Sequence, residues 1–192
     1  QLGRNHEPPH ECVKLADYRT RYAQYRSDPM LQAAHAAAPW FCTWDDHESA
    51  NNSYRTGAEN HQTETEGAWT TRKAEAVQAY LEWMPVRDPA AGKAREAVYR
   101  QFDIGDLATL FLLESRLVGR GEDLTIDEVG LAADSQKQAV ANALMAKVND
   151  AGRPMLGTEQ EAWLAAGLKA SVDAGRKWQV LVDHYSTAAA LD

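Results

Sequence analysis

Residues 40–48 have the sequence Trp-Phe-Cys-Thr-Trp-Asp-Asp-His-Glu, and Asn51 and Asn52 follow closely. The aromatic and β-branched run Trp40–Trp44 has the length of a short strand, so we predict a buried strand there. That strand leads directly into three carboxylates, an imidazole and two amides. Because open α/β sheets bind their ligands at strand ends, this stretch predicts a sheet and a functional site at its edge.

Two helices are predicted on the amino-terminal side of this strand. Asp28 is a good helix N-cap and Pro29 suits the first helical position, so a short helix is expected from there to about Ala37. Pro39 ends this helix before the strand begins. The preceding helix is indicated by apolar and aromatic residues at spacings of three and four: Leu15, Tyr18, Tyr22 and Tyr25.

Helices and short strands alternate along the rest of the chain, which is typical of an α/β protein. Long loops are expected over Asn51–Thr65 and Gly119–Asp134. The region Val98–Glu114 has Gly105 and Asp106 near its centre and predicts either a hairpin or two successive strands. The remaining predicted elements are helices over Ala68–Met84 and Ser135–Val148, a helix opened by a capping box of Thr158 and Glu161, and a strand over Trp178–Val182.

The composition limits the classes of function. The chain has 192 residues, and 20 Lys and Arg against 28 Asp and Glu give a net charge of −8, which argues against a nucleic-acid scaffold or a lipid-gripping surface. No run approaches the roughly 20 apolar residues of a transmembrane helix, and the first ten residues lack signal-peptide features. Cys12 and Cys42 have no C-x-x-C spacing, so a zinc knuckle or redox motif has no support.

The polar stretch from Asp45 to Asn52 permits two interpretations. Carboxylate oxygens, amide oxygens and an imidazole nitrogen together suit hard or borderline cations such as calcium, magnesium, manganese and iron. In the alternative, Asp45 and Asp46 cap the following turn and His47 is an ordinary loop histidine. The residues alone leave both interpretations open.

Residues 43–48, Thr-Trp-Asp-Asp-His-Glu, resemble the middle of the PhoD-like alkaline phosphatase and phosphodiesterase family. The resemblance extends over nearly the whole chain and is loosest between Gly119 and Arg153. Further matching segments are Leu15–Tyr22, Leu31–His35, Glu82–Arg87, Gly105–Ala108, Leu112–Arg116 and Met155–Gln160.

The resemblance implies a metallophosphatase-like β-sandwich flanked by helices, with a two-metal centre at the strand ends. The tripeptide at residues 46–48 aligns with the superfamily's Asn-His-Glu, which implies that Asp46 is a metal ligand and His47 a phosphate contact or proton donor. Asp45 can exchange roles with Asp46. Asn51 and Arg116 are the candidate substrate-binding residues, and a structural carboxylate is the alternative partner of Arg116. The family is associated with iron and calcium, which implies two metal ions as cofactors.

The family's upstream and downstream metal-binding motifs have no counterpart in these residues. We therefore expect residues 1–192 to be the central portion of a metallophosphatase domain, with other segments of the same enzyme as its partners. The expected function is metal-dependent hydrolysis of phosphate monoesters or diesters in a secreted, periplasmic or extracellular protein. The alternative is a non-catalytic remnant or assembly subunit that binds no metal pair unaided.

Overall fold

The computed structural model describes residues 5–122, 124, 127–150 and 152–183 of the chain. Within these residues the chain forms helices and one small sheet. The helices are α1 (Leu15–Arg26), α2 (Pro29–Ala37), α3 (Thr63–Glu66), α4 (Trp69–Trp83), α5 (Asp127–Leu131), α6 (Lys137–Val148) and α7 (Thr158–Asp173). The strands are β1 (Arg100–Ile104), β2 (Ala108–Leu112) and β3 (Trp178–Val182).

The predicted helices around the site are confirmed. The Asp28 carboxylate accepts hydrogen bonds from the backbone N–H groups of Met30 at 2.7 Å and Leu31 at 3.2 Å, as expected for the N-cap of α2. Helices α1 and α4 pack against each other, and the Arg19 guanidinium bonds to the Glu82 carboxylate across them at 2.6 Å. This pair of helices forms the layer on which the polar stretch after Trp44 rests.

The three strands form one sheet in the order β1, β2, β3. β1 and β2 are antiparallel and are joined by a tight turn, so Val98–Glu114 contains a hairpin rather than two separate strands. Gly105 in this turn has a φ of +53°, a backbone conformation that favours glycine. β3 pairs in parallel with β2, which confirms the predicted strand Trp178–Val182.

The main hydrophobic core lies directly beneath the polar stretch. Trp44, which precedes this stretch, and Ala50, which lies within it, are both buried in the same cluster as residues of α4. The Trp44 ring contacts the Tyr80 ring edge-on, with 5.0 Å between the centroids. Apolar packing therefore fixes the backbone on both sides of residues 45–49.

The predicted strand Trp40–Trp44 is wrong. The segment makes no strand pairing among the described residues, because its polar backbone and side-chain atoms are bonded in other ways. The Arg100 guanidinium donates to the carbonyl of Cys42, and the Thr43 hydroxyl donates to the carbonyl of Leu113 at 2.9 Å. The polar residues thus follow an irregular segment docked beside the end of β2.

Three smaller expectations also need correction. The predicted loop Asn51–Thr65 contains the start of α3, where the Glu66 carboxylate accepts from the N–H of Gln62 at 3.0 Å and stabilises a single polar turn. The predicted loop Gly119–Asp134 contains α5. The capping box is absent from α7, because its N-cap is Gly157, which has no side chain to accept a hydrogen bond.

The α/β class is confirmed, with helices packed against a mixed sheet. One sheet is present among the described residues, which is consistent with one part of a larger sandwich. No helix in the described part of the chain is both long and apolar enough to cross a membrane.

Candidate functional site

The site loop, which we define as Asp45–Asn52, begins with a tight turn. The backbone carbonyl of Asp46 accepts from the N–H groups of Ser49 and Ala50, each at 2.9 Å. The turn closes between two buried apolar residues, and this closure places the carboxylates and the imidazole of residues 45–47 side by side. The arrangement follows from local sequence, since the three functional side chains are consecutive.

Asp46 is the most enclosed of the three clustered residues 45–47, with 6% of its surface exposed. Its Oδ2 atom accepts the backbone N–H of Asn52 at 2.7 Å, and its Oδ1 atom lies 3.3 Å from Nη2 of Arg116. Asn52 has a φ of +49°, a left-handed conformation that brings its N–H to the carboxylate. Asp46 is therefore an oriented carboxylate whose charge is balanced by a buried guanidinium.

The carboxyl groups of Asp45 and Glu48 interact with each other. The Asp45 Oδ1 atom accepts the N–H of His47 at 2.6 Å, and the Glu48 Oε2 atom accepts the N–H of Asp45 at 2.7 Å. Burial, reinforced by the neighbouring Asp45 carboxylate, raises the pKa of Glu48 to about 7. Burial also acts on Asp45, but hydrogen bonds from Glu48 and His47 outweigh it and hold the pKa of Asp45 below its ordinary value.

His47 stands above these carboxylates with 70% of its side chain exposed. Its Nδ1 atom lies 3.6 Å from Oδ2 of Asp45 and 3.5 Å from Oδ1 of Asp46. One ligand atom from each of the three residues lies within 4.8 Å of the others, and no other such group of three occurs among the described residues. The structure thus brings the three predicted residues together at the surface.

The donor chemistry of this cluster fits a cation. Two carboxylates and one imidazole are suitable ligands for iron, manganese or calcium, and the low exposure of Asp46 would strengthen its interaction with a positive ion. Asp45, Asp46 and His47 could supply part of the coordination of one ion. A second ion requires further ligands.

Arg116 and Asn51, the two predicted substrate contacts, occupy different environments. Arg116 is 4% exposed and lies between the Asp46 carboxylate and the carbonyl of Ser53, 3.5 Å from Nη1. Asn51 donates to the Glu59 carboxylate at 3.0 Å and lines a cavity that also includes His47. Asn51 is therefore placed at the open side of the site loop, and Arg116 behind it.

Glu114 is a component of the site that the sequence reasoning missed. It is completely buried, and its carboxylate accepts from Nε1 of Trp44 at 2.8 Å and from the backbone N–H groups of residues 116, 117 and 118 at 2.7–2.9 Å. Burial raises the pKa of Glu114, and the four N–H donors oppose that rise. Glu114 thereby fixes the turn that carries Arg116 and ties that turn to Trp44.

Arg72 is a second buried charge that was missed. Its guanidinium bonds to the Glu11 carboxylate at 2.7 Å, to Glu66 at 2.9 Å and to the Tyr18 hydroxyl at 3.1 Å. A signal for it was present in the sequence, since Arg72 lies three residues after Trp69 on the apolar stripe of α4. A charged residue on such a stripe requires buried partners.

The chain matches the PhoD-like phosphatase family over residues 1–190. It is 38% identical over 172 residues to alkaline phosphatase D of Bacillus subtilis (strain 168), an alignment that covers 89% of this chain and 26% of that protein. A solved structure described as "Structure of PhoD" superposes with a TM-score of 0.63 and 33% identity, covering 91% of this chain and 30% of that one. The chain therefore spans about a quarter of the curated relative.

Proposed function

The chain belongs to the PhoD-like phosphatase family, and from this premise we propose that it is the central portion of an enzyme that hydrolyses phosphate monoesters or diesters. The observation that carries the proposal is the cluster of Asp45, Asp46 and His47, whose ligand atoms lie within 4.8 Å of one another. A phosphatase neutralises the anionic phosphoryl group with cations, and two carboxylates beside one imidazole are side chains that would hold such a cation and contact the phosphoryl group at one surface position.

In this proposal, Asp46 and Asp45 hold a metal ion, and the complete site contains two ions, iron and calcium. When bound, such ions stabilise the charge of the phosphoryl oxygens by Lewis-acid interaction. The hydrogen bonds from Asn52 and Arg116 orient Asp46 and prevent its carboxylate from rotating away from the site. We assign this orienting role to Arg116, in agreement with its position behind the loop.

His47 acts on the substrate in this proposal. Its Nδ1 atom faces the carboxylates of Asp45 and Asp46, so Nε2 is the atom available for the phosphoryl group. An imidazole in this position donates a hydrogen bond to a phosphoryl oxygen or a proton to the departing alkoxide. Asn51, at the open side of the loop, contacts the substrate through its amide.

We also propose that the enzyme works outside the cytoplasm, as a secreted, periplasmic or extracellular protein. The family resemblance supports this location. Cell fractionation followed by immunoblotting tests it. Recovery of the enzyme with a cytoplasmic marker protein would contradict the proposed location without affecting the proposed chemistry.

The experiment that tests the site compares two variants of the complete enzyme. His47→Ala is expected to lower kcat by roughly two to four powers of ten, the usual contribution of a general acid, with metal content unchanged. Asp46→Ala is expected to lose one metal ion, because water does not replace a carboxylate ligand at comparable affinity. Steady-state rates and elemental analysis of each purified variant provide the two measurements.

His10→Ala is the matched control, because His10 is an exposed histidine whose ring contacts Asp17 of α1 and belongs neither to the site loop nor to the cluster of residues 45–47. It should leave both the rate and the metal content unchanged. If His47→Ala removed the metal while Asp46→Ala retained both ions, the assignment of ligand and donor would be wrong. Unchanged rates in both variants would contradict the proposed function itself.

A further inference from the structure

A cavity of about 540 Å³ opens beside His47, between α1 and the site loop. We call it the tyrosine cavity, since Tyr18, Tyr22 and Tyr25 from successive turns of α1 line one side of it. His47, Ser49 and Asn51 line the other side. Its volume is typical of a pocket for a small organic molecule, and it begins at the proposed phosphoryl contact.

The three tyrosines differ in how they are fixed. The Tyr18 hydroxyl donates to the carbonyl of Ser49 at 2.6 Å, and Tyr25 bonds through its hydroxyl to His6 at 2.6 Å. Tyr22 stacks on Trp83 with 6.5 Å between ring centroids and an interplanar angle of 7°. Each tyrosine therefore has a partner that orients its ring, and the three rings together give this side of the cavity an aromatic lining.

The two cations that line the cavity already have partners. Arg21 and Arg72 contribute two cations, and Glu11 and Glu48 contribute two carboxyl groups. Arg72 is already paired with Glu11 at 2.7 Å, and Arg21 donates to the backbone carbonyl of Glu7 at 2.9 Å. A second phosphate would find no uncommitted cluster of cations here, so the lining favours a neutral group.

From this arrangement we infer that the tyrosine cavity holds the alcohol portion of the phosphate ester and selects neutral, ring-bearing alcohols over small aliphatic ones. This inference rests on the proposed function, because it places the phosphoryl group at His47. A ring that enters the cavity packs against Tyr22 and Tyr25 while its phosphoryl group remains at the site loop. Ring packing of this kind contributes about 0.5–1.5 kcal/mol beyond area burial, which corresponds to roughly a two- to tenfold preference.

The test uses two substrates whose leaving groups have similar basicity, 2-phenylethyl phosphate and ethyl phosphate. The complete enzyme should hydrolyse the first with a kcat/KM about tenfold higher than the second. Tyr22→Leu and, independently, Tyr25→Leu should reduce this ratio towards one, whereas Tyr22→Phe should preserve it. The ratio does not depend on the fraction of folded enzyme, so partial destabilisation of a variant leaves the measurement valid.

Tyr99→Leu is the matched control, since Tyr99 packs on Trp163 outside the tyrosine cavity. It should leave the ratio unchanged. Equal kcat/KM values for the two esters in the unmodified enzyme, or a ratio that survives both leucine substitutions, would overturn the inference and leave the phosphatase function intact. Hydrolysis of neither ester would overturn this inference, and if p-nitrophenyl phosphate and bis(p-nitrophenyl) phosphate were not hydrolysed either, the proposed function would be overturned with it.

Discussion

The site loop and the three-stranded sheet differ in how completely the chain covers them. Around the site loop, Asp46, Glu114 and Arg116 are buried and bonded within the chain. In the sheet, β2 is buried, but the flanking strands and their turn expose large apolar side chains. These include Ile104, Leu107, Trp178, Val180 and Leu181, with exposures between 41% and 63%.

This difference shows that the site loop and the sheet depend on different contacts. The geometry of the site loop is determined by contacts that the chain makes with itself, whereas the flanks of the sheet form an apolar surface of the kind that marks an interaction site. Since the chain spans 26% of its curated relative, we propose that further segments of the same enzyme cover β1 and β3. Those segments would also supply the missing metal ligands.

The largest expected effect concerns catalysis by the 192-residue chain alone. Because Asp45, Asp46 and His47 form the one cluster of three ligand residues among those described, the isolated chain should bind iron and calcium weakly. Its turnover of p-nitrophenyl phosphate should fall at least about a thousandfold below that of the complete enzyme, since metal ions contribute several kcal/mol to such reactions. Robust turnover with stoichiometric metal would show that the chain supplies all the metal ligands of its own site. The proposal that other segments of the enzyme complete the site would then be wrong.

The next largest effect concerns Glu114. Its carboxylate accepts four hydrogen bonds from Trp44 and from the backbone of residues 116–118. Glu114→Ala leaves these donors buried without an acceptor and should lower the free energy of unfolding by about 3–5 kcal/mol. Urea denaturation of the chain, followed by tryptophan fluorescence, measures the change.

Glu161→Ala provides the comparison for that measurement, since Glu161 is an exposed residue of α7. Its effect should remain within about 0.5 kcal/mol. If Glu114→Ala had an effect as small as that of Glu161→Ala, the hydrogen bonds to the Glu114 carboxylate would not be what fixes the site loop. The proposed difference between a self-contained site loop and an incompletely covered sheet would then no longer hold.

The elements that the sequence predicted correctly depend on local patterns. α1 follows from the spacing of Leu15 and the tyrosines, α2 from its Asp28 cap, and the hairpin from the turn at Gly105. The strand Trp40–Trp44 failed because a run of aromatic residues indicates burial but cannot reveal whether a neighbouring strand is available. α3 was missed because it is a single polar turn without an apolar period.

Within the site, the sequence located Asp45, Asp46 and His47 because they are consecutive. It could not locate Glu114, whose partner Trp44 is 70 positions away in the chain. The tyrosine cavity could not be predicted from the sequence either. The spacing of the tyrosines identified one face of α1 but not the loop that lies opposite this face. Contacts between segments that are distant in the sequence determine which buried charges are paired, and a local sequence pattern does not reveal these contacts.

A moderate effect is expected at Asp17, which stabilises the start of α1 and thus the tyrosine cavity. Its carboxylate accepts from the N–H of Lys14 at 2.9 Å and of Val13 at 3.1 Å. Partial burial opposes these bonds, but their combined effect holds the pKa of Asp17 below its ordinary value. Asp17→Ala should therefore cost about 1 kcal/mol at pH 7, as loss of a helix cap commonly does.

A lowered folded-state pKa gives this contribution a defined pH dependence. It is fully present above the unfolded-state pKa of about 3.9 and is lost as the pH falls through the lower folded-state value. The difference in unfolding free energy between the chain and Asp17→Ala should thus shrink progressively below about pH 4. Asp134→Ala, whose aspartate is 95% exposed, should show no such trend, and a constant difference at Asp17 would contradict the capping role.

The smallest effect is expected on the exposed side of the sheet. Trp178 is 63% exposed on β3, so Trp178→Thr, which replaces it by another residue common in strands, should change the stability of the isolated chain by less than about 0.5 kcal/mol. If other segments of the complete enzyme cover β3, the same substitution there removes a buried aromatic ring and should cost about 3 kcal/mol or more. Denaturation of both proteins provides the comparison. A small cost in both would mean that β3 faces solvent in the enzyme, whereas a large cost in the isolated chain would mean that the sheet is as self-contained as the site loop.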